Sequence, residues 1–220
     1  RAIADDDANQ VWATARNTAS LRTKPTHASQ VDITDEDSLA RLTHDMSAVD
    51  YQPNFIINCT GVLHTQKFGP ERTWRHFDID VMRRVFDVNA FGVGLIGKHL
   101  IPLVPRSGRA VFASISARVG SIADNRLGGW YSYRASKAAQ NMFIKGLSLE
   151  AKMRWPELIC VALHPGTVQS ALSEPFSTRV PPEKLFTPDQ SCRYLSDVIH
   201  TLQPAQSGNF YAWDGQPIPY

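Results

Sequence analysis

The stretch LICVAL at residues 158–163 is apolar at every position. A strand with one buried face alternates apolar and polar residues, whereas a short, wholly apolar run indicates a strand that is covered on both faces. The stretch NFIIN at residues 54–58 is nearly as apolar. Strands of this kind are typical of parallel sheets that have helices on both sides.

Further strand candidates and longer helical patterns alternate on either side of these two stretches. The strand candidates are QVWATA (10–15), SQVDI (29–33), NFIIN (54–58), RAVFASIS (109–116), LICVAL (158–163) and NFYAW (209–213). Helical periodicity covers residues 35–48, 78–103, 132–153 and 188–202. Thr34 stands before the first of these regions with Asp37 three residues later, which is a helix-capping signature. The alternation predicts a doubly wound α/β fold, with a parallel sheet and helices on both faces.

Two segments depart from this alternation. Residues 164–188 are rich in Pro, Ser and Thr and show no periodicity. An irregular segment of that length is usually a binding loop or lid, so we expect it to cover a site. The chain begins with RAIADDD, which resembles the end of a helix. In a dinucleotide-binding fold a strand and a glycine-rich turn precede such a helix, so we expect both to be missing from the chain as given.

The composition limits the classes of protein. A chain of 220 residues, 43% of them hydrophobic, is long enough for one core, and we expect a single domain over residues 1–220. The 23 Lys and Arg are scattered and nearly balanced by 21 Asp and Glu, which argues against nucleic acid as a partner. Cys59, Cys160 and Cys192 are too far apart for a disulfide framework or a zinc site, and the histidines show no metal-binding spacing. No run of about eighteen apolar residues is present, so we expect a cytoplasmic protein without a membrane span.

The motif YRASK contains a Tyr133–Lys137 pair that can carry chemistry. On a helix two residues four apart lie about 40° from each other and one turn apart, whereas Tyr131 falls on another part of the surface. A lysine ammonium at that distance favours the phenolate and lowers the pKa of the phenol, which suits an acid–base group. The same spacing also occurs in ordinary amphipathic helices that bury the tyrosine and solvate the lysine.

YRASK is one of five motifs that together resemble the short-chain dehydrogenase/reductases. The other four, in that family's order, are NCTG (58–61), FDVNAFG (86–92), SISARVGSI (114–122) and HPGTVQS (164–170). Two longer runs, SARVGSIADNRLGGWYSYRASKAA and the C-terminal GNFYAWDGQPIPY, further resemble the C-factor-like subgroup. The resemblance covers residues 10–215. It implies a Rossmann-like fold and an enzyme that interconverts an aldehyde or ketone with an alcohol.

The same resemblance implies roles for the catalytic residues. Tyr133 is the acid–base group, and Lys137 tunes it and also holds the nicotinamide ribose. Asn89 holds a water that joins Lys137 to solvent. A hydroxyl that polarises the substrate oxygen is expected at Ser116.

The position of this serine is open, because the family's spacing does not match this chain in either direction. Counting back from Gly120 places the serine at Ala117, and counting forward from Arg109 places it at Ile115. Ser116 lies between the two counts, and Ser114 is the alternative.

The resemblance also implies a cofactor site. It places Asn58, Thr60 and Gly61 along the adenosine and Asp32 with Ile33 around the adenine. The residues expected to face the nicotinamide are Pro165, Gly166 and Val168.

The stretch ATARN at residues 13–17 predicts which dinucleotide is used. A carboxylate at the end of this strand binds the ribose hydroxyls of NAD, whereas a guanidinium pairs with the 2′-phosphate of NADP. This strand ends in Arg16, and no acid occurs before Asp32. NADP is therefore the expected cofactor.

Two further expectations concern assembly and an alternative function. Ala135, Ala138, Ala139 and Gly146 allow close packing of the helix over 132–153, and family members often pair through this helix and the one near 78–103. We therefore expect a homo-oligomer, either a dimer or a tetramer.

The alternative to an enzyme is a non-catalytic signalling or regulatory protein that keeps the dinucleotide-binding fold, but an intact Tyr133–Lys137 pair favours the enzyme.

Overall fold

The computed structural model describes residues 10–21, 25–178 and 180–220. The start of the chain, where a strand and a glycine-rich turn are expected to be missing, falls on residues 1–9 and lies outside the described residues. The strands are β1 (Trp12–Ala15), β2 (His27–Gln30), β3 (Phe55–Asn58), β4 (Ala110–Ile115), β5 (Leu158–His164), β6 (Thr167–Val168), β7 (Leu185–Phe186) and β8 (Asn209–Ala212). The α-helices are α1 (Glu36–Ala48), α2 (Ile79–Phe86), α3 (Gly92–Leu100), α4 (Tyr131–Ala151) and α5 (Pro188–Thr201). Each of the six strand candidates overlaps an observed strand, although β2 ends at Gln30 and not at Ile33, and all four helical regions contain α-helices.

The central sheet is parallel and has the order β3–β4–β5–β8. Every residue of 158–163 is buried, as the apolar run predicts. Alternate residues of β5 enter two cores: Cys160 packs with Phe112 and Phe210 on one face, and Ile159 packs against Ile199 of α5 on the other. The doubly wound α/β fold is therefore confirmed, with helices on both faces of the sheet.

Strands β1 and β2 form a separate parallel pair. Among the described residues no strand is hydrogen-bonded to both β1 and β3. A cavity of about 990 Å³ separates them, and its walls include Trp12 of β1 and Ile56 of β3. The described strands therefore form separate hydrogen-bonded groups, β1–β2 and β3–β4–β5–β8.

The first turn of α1 differs from the predicted cap. The N-cap residue is Asp35, whose carboxylate accepts from the Asp37 N–H. Thr34 uses both its N–H and its hydroxyl to donate to the Asp32 carboxylate, at 2.9 and 2.7 Å. Because Thr34 is engaged in this turn, the capping position moves one residue along the chain.

The helical region 78–103 is interrupted in the middle. Helix α2 leads into a π-helical turn over Asp87–Phe91, α3 follows, and a 3₁₀ turn over Ile101–Leu103 ends the region. A π-turn inserts one extra residue into a helix and frequently occurs at functional sites. Here it contains Asn89, which is fully buried.

The predicted irregular segment 164–188 is mostly loop, as expected. It contains the short pair β6–β7 and 3₁₀ turns at Glu174–Phe176 and Pro182–Lys184. Gly166 has φ +76°, and a Cβ atom there would lie 2.5 Å from the Phe186 ring, so β7 packs directly on this glycine. Within the described residues, no helix has the length and apolar character needed to cross a membrane.

Candidate active site

Tyr133 and Lys137 lie on the first two turns of α4, and both are buried. Tyr133 is 7% exposed and Lys137 is 2% exposed. The Lys137 Nζ atom lies 5.9 Å from the centroid of the Tyr133 ring. The ordinary amphipathic alternative requires a solvated lysine, so the structure does not support that interpretation.

The buried ammonium of Lys137 is held by two neutral oxygens. It donates to the Ile115 carbonyl at 2.9 Å and to Gln140 Oε1 at 2.8 Å. The Gln140 amide in turn donates to Ser114 Oγ and to the Ile115 carbonyl, at 2.9 and 3.1 Å. Gln140 is fully buried and its side chain joins α4 to the end of β4. Gln140 lies outside the motifs that predict the site, although a glutamine three positions after Lys137 is unusual on a face that must be buried.

Burial shifts the pKa of both members of the pair. It lowers the pKa of Lys137 to about 7 and raises the pKa of Tyr133 to about 12. The direction for Tyr133 is opposite to the predicted one. The reason is that burial of the Tyr133 ring disfavours the phenolate, while the ammonium binds Ile115 and Gln140.

Asn89 fastens the loop after β3 to the helices. Its Oδ1 accepts from the Val62 N–H and its Nδ2 donates to the Val62 carbonyl, both at 2.8 Å, and Nδ2 also donates to Ser136 Oγ at 3.1 Å. A Cβ atom at Gly61 would lie 3.5 Å from Lys137 Nζ and 3.6 Å from Asn89 Oδ1. The two expected catalytic residues therefore lie next to each other beneath the backbone of Gly61.

Both candidate serines are buried at the end of β4 and have partners. The Ser116 hydroxyl donates to Asn141 Oδ1 at 2.7 Å. Ser114 Oγ accepts from the amides of Asn58 and Gln140, each at 2.9 Å. Neither hydroxyl is bonded to Tyr133 among the described residues, so the geometry leaves both alternatives in place.

The residues expected along the adenosine share one cleft. All six residues line the cavity between β1 and β3, namely Arg16, Asp32, Ile33, Asn58, Thr60 and Gly61. The three residues expected at the nicotinamide, Pro165, Gly166 and Val168, follow β5 and do not line this cavity. The structure thus brings the six residues of the cofactor cleft close to Lys137, because Gly61 belongs to both places. The three residues expected at the nicotinamide lie outside the cleft.

A second guanidinium group faces the same cleft. Hydrogen bonds from Thr34 lower the pKa of the Asp32 carboxyl group, and the positive charges of Arg16 and Arg84 lower it further. Arg84 extends from α2 and also lines the cavity. Arg84 could not be predicted from the sequence motifs, because it belongs to an exposed helix far from ATARN in the sequence.

A second cavity, of about 750 Å³, opens beside the first and shares His64, Thr65 and Gln66 with it. Its apolar wall consists of Trp130 and Phe176, whose ring centroids are 4.9 Å apart. The ring centroid of Trp130 also lies 6.3 Å from that of Tyr133, in an edge-to-face arrangement. The second cavity therefore lies next to the proposed acid–base group.

The segment 164–188 forms part of the same wall, in line with its expected role as a cover. Phe176 belongs to it, and the His64 ring contacts the carbonyls of Ala171 and Leu172, each at 3.1 Å.

Trp130 has φ +52°, a backbone conformation that residues other than glycine rarely adopt. Backbone strain of this kind is concentrated at functional sites.

Comparisons with known proteins agree with this geometry. A protein-family model described as short chain dehydrogenase matches residues 2–180. C-signal from Myxococcus xanthus is 34% identical over 146 residues, which are 65% of this chain and 82% of that protein. The 1-hydroxy-2-glutathionyl-2-methyl-3-butene dehydrogenase of a Rhodococcus strain is 31% identical over 185 residues, or 84% and 76% of the two chains.

Two solved structures have the same fold. Carbonyl reductase Sniffer of D. melanogaster superimposes with a TM-score of 0.75 at 25% identity, over 88% of this chain and 78% of that one. The NADPH-bound carbonyl reductase from chicken fatty liver superimposes with a TM-score of 0.79 at 23% identity, over 95% and 87% of the two chains.

Proposed function

Because the chain belongs to the short-chain dehydrogenase family, we propose that it is an NADP-dependent oxidoreductase that interconverts an aldehyde or ketone with the corresponding alcohol. The observation that carries the proposal is the burial of Lys137 against Tyr133, directly beneath the Gly61 backbone that lines the cleft. A protein that only binds has no need to bury an ammonium beside a phenol, since burying a charge is costly.

In the proposed reaction each polar residue has a separate task. A bound nicotinamide dinucleotide supplies the hydride. Tyr133 donates the proton to the carbonyl oxygen, and with a pKa of about 12 the phenol carries that proton at neutral pH. Lys137 restores the proton, and Asn89 connects Lys137 to solvent through a water molecule. Ser116, or Ser114 in its place, donates to the substrate oxygen and stabilises the charge that develops there.

The residues present fit a phosphorylated dinucleotide. Arg16 and Arg84 provide two guanidinium groups beside Asp32 at the rim of the cleft, and the 2′-phosphate of NADP is the group that such a pair binds well. Asp32 and Ile33 hold the adenine, and the Asn58, Thr60 and Gly61 backbone lies along the adenosine. Pro165, Gly166 and Val168 contact the nicotinamide.

The test of the reaction is a pair of tyrosine variants. Tyr133→Phe keeps the ring and removes the proton donor, so kcat should fall by at least about a hundredfold while the affinity for the dinucleotide changes little. Tyr131→Phe is the matched control, since Tyr131 contacts Phe77 on another face of α4. Steady-state kinetics with a panel of aldehydes and ketones measures both effects. Equal losses in the two variants would contradict the role of Tyr133.

The choice of NADP is tested at Arg16. A charge-assisted pair with phosphate contributes roughly 1.5–3 kcal/mol, so Arg16→Ala should weaken NADPH binding about ten- to a hundredfold and leave NADH binding nearly unchanged. Titration of nicotinamide fluorescence measures both affinities, and Arg106→Ala, which removes an arginine stacked on Trp155, is the control. Equal affinity of the native protein for NADH and NADPH would rule out the assignment.

The second candidate is a non-catalytic signalling or regulatory protein that keeps the fold, and the similarity to C-signal is the observation that favours it. The same fluorescence titration separates the two candidates, because absence of dinucleotide binding would favour the second. We further propose that residues 1–220 form one domain, that the protein is cytoplasmic, and that it acts on small molecules as a homo-oligomer.

A further inference from the structure

The second cavity has an uneven distribution of charge. Its lining includes the basic residues His64, Lys67, Arg72 and His76, and it includes no Asp or Glu among the described residues. Glu71 lies in the same loop but is turned away from the cavity. It is 5% exposed, and its carboxylate accepts from both the N–H and the hydroxyl of Ser132 at the start of α4. The polar side of this cavity is therefore positive.

Two of the basic side chains are available to a ligand. Lys67 and Arg72 are exposed, and neither forms an ion pair with any residue in the described part of the chain. The His64 ring, in contrast, is engaged with the carbonyls of Ala171 and Leu172. A carboxylate entering the cavity would meet two cations that form no ion pair with an acid in the part of the chain that the structure describes.

The apolar side of the cavity leads from these cations toward Tyr133. Trp130 lies between Phe176 and Tyr133, with ring centroids 4.9 and 6.3 Å away. Its strained backbone is held in place, because the Trp130 N–H donates to the Glu71 carbonyl at 2.6 Å. A flat apolar group placed against Trp130 would therefore lie between the basic rim and the proposed proton donor.

We propose that the second cavity selects carbonyl substrates that carry a carboxylate, with the apolar or aromatic body against Trp130 and the carboxylate bound by Lys67 and Arg72. This inference rests on the proposed function and specifies its substrate class. It predicts a preference for an anion at the far end of the substrate, and it assigns specificity to residues outside the catalytic group.

Matched substrates provide the test. The substrates 4-formylbenzoate and 4-formylcinnamate, which differ in length, are each compared with their neutral methyl esters by kcat/KM with NADPH. Exposed ion pairs contribute about 0.2–1 kcal/mol each, so two of them should favour at least one of the acids over its ester by about two- to thirtyfold. The preference should weaken between low salt and roughly 0.5 M salt, because the Debye length becomes short. An equal or higher kcat/KM for both esters would overturn the inference.

Variants identify the residues responsible. Lys67→Gln with Arg72→Gln should remove the preference for the acid and leave kcat/KM for the ester within about twofold of the native value. Lys152→Gln is the matched control, because Lys152 follows α4 and lies about 28 Å along the helix from Tyr133. A preference that survives in the double variant would overturn the inference.

Binding separates failure of this inference from failure of the proposed function. Calorimetric titration of the acids and esters into the protein with oxidised NADP present involves no turnover, because the oxidised dinucleotide has no hydride to transfer. If no carbonyl compound is reduced but the acid still binds better through Lys67 and Arg72, the reaction is wrong and the anion site stands. If both esters are reduced and bind as well as the acids, the reaction stands and the anion site is wrong.

Discussion

Lys137 is a cation without a carboxylate partner in the described residues, and its charge therefore opposes folding. Its pKa of about 7 lies well below the usual value for lysine because burial disfavours the ammonium. Below pH 7 both the folded and the unfolded chain carry this proton, and the full cost of burying it is present. Between pH 7 and about 10 the unfolded chain alone holds the proton, so the contribution of Lys137 to stability improves as pH rises.

Lys137→Met removes this dependence, since methionine is apolar and of similar length. The variant should be more stable than the native protein at pH 6, and its advantage should shrink by at least about 1 kcal/mol between pH 7 and pH 9.5. Urea unfolding at several pH values measures the two free energies, and the exposed Lys152→Met is the control. Parallel pH profiles for Lys137→Met and the native protein would show that the ammonium is not buried in the way described.

For single residues, the sequence predicted where a side chain lies better than it predicted what surrounds that side chain. Four-residue spacing was sufficient to place Tyr133 and Lys137 together on α4. The pKa of Tyr133 was predicted in the wrong direction, because desolvation depends on what packs around the ring. The Tyr133 ring lies near Trp130, and the ammonium binds Ile115 and Gln140; neither arrangement can be deduced from the YRASK motif alone.

Helix α4 is connected to strand β4 by a small buried polar network. Gln140 provides the central group, since its carbonyl oxygen accepts from Lys137 and its amide donates to Ser114 and to Ile115. Buried networks in which every member is satisfied rigidify the elements they join. Gln140 is thus a positioning residue for Lys137.

Substitution at Gln140 tests this role. Gln140→Leu leaves the ammonium with one acceptor, so kcat should fall about tenfold, in line with the loss of a buried hydrogen bond. Gln140→Glu places a carboxylate beside Lys137 Nζ and raises the pKa of the lysine, so the pH profile of kcat should move to higher pH. Glu150→Gln, on an exposed part of α4, is the control. An unshifted profile in Gln140→Glu would contradict the positioning role, even if activity were reduced.

The helices and strands differ in how well the sequence predicts them. Apolar runs predicted β3 and β5 because a strand that is buried on both faces must be apolar. The π-turn around Asn89 was not predicted, since one inserted residue barely disturbs helical periodicity. The pair β6–β7 was also missed, because two-residue strands carry no periodicity, and the cap of α1 moved to Asp35 through a local turn.

For the molecule as a whole, one surface of α4 is unusually apolar. Met142 and Leu149 are 71% and 63% exposed, and a Cβ atom at Gly146, between them, would meet nothing within 4 Å. These three positions share one face of the helix, because they are four and three residues apart. Isolated apolar residues on a surface are normal, but a contiguous apolar patch of this kind is typical of an interface.

We expect this face to pair with a second copy of the chain. Light scattering at micromolar concentration should give a dimer or tetramer, and Met142→Glu with Leu149→Glu should reduce the mass to the 24.5 kDa of one chain. Val49→Glu changes an exposed apolar residue at the end of α1 and should leave the mass unchanged. A native protein that is already monomeric would exclude this assembly.

The parallel order β3–β4–β5–β8 has a consequence for biosynthesis. Phe112 pairs with Cys160, and Val161 pairs with Asn209, so each partner is about fifty residues away along the chain. Distant pairings of this kind slow folding, because a long loop must close before the contact forms. During translation β5 has its partner β4 available, but its other edge stays open until β8, about fifty residues further along the chain, has been synthesised. The nascent chain therefore exposes an apolar strand edge while the roughly fifty residues between β5 and β8 are synthesised, a state in which chaperones protect against aggregation.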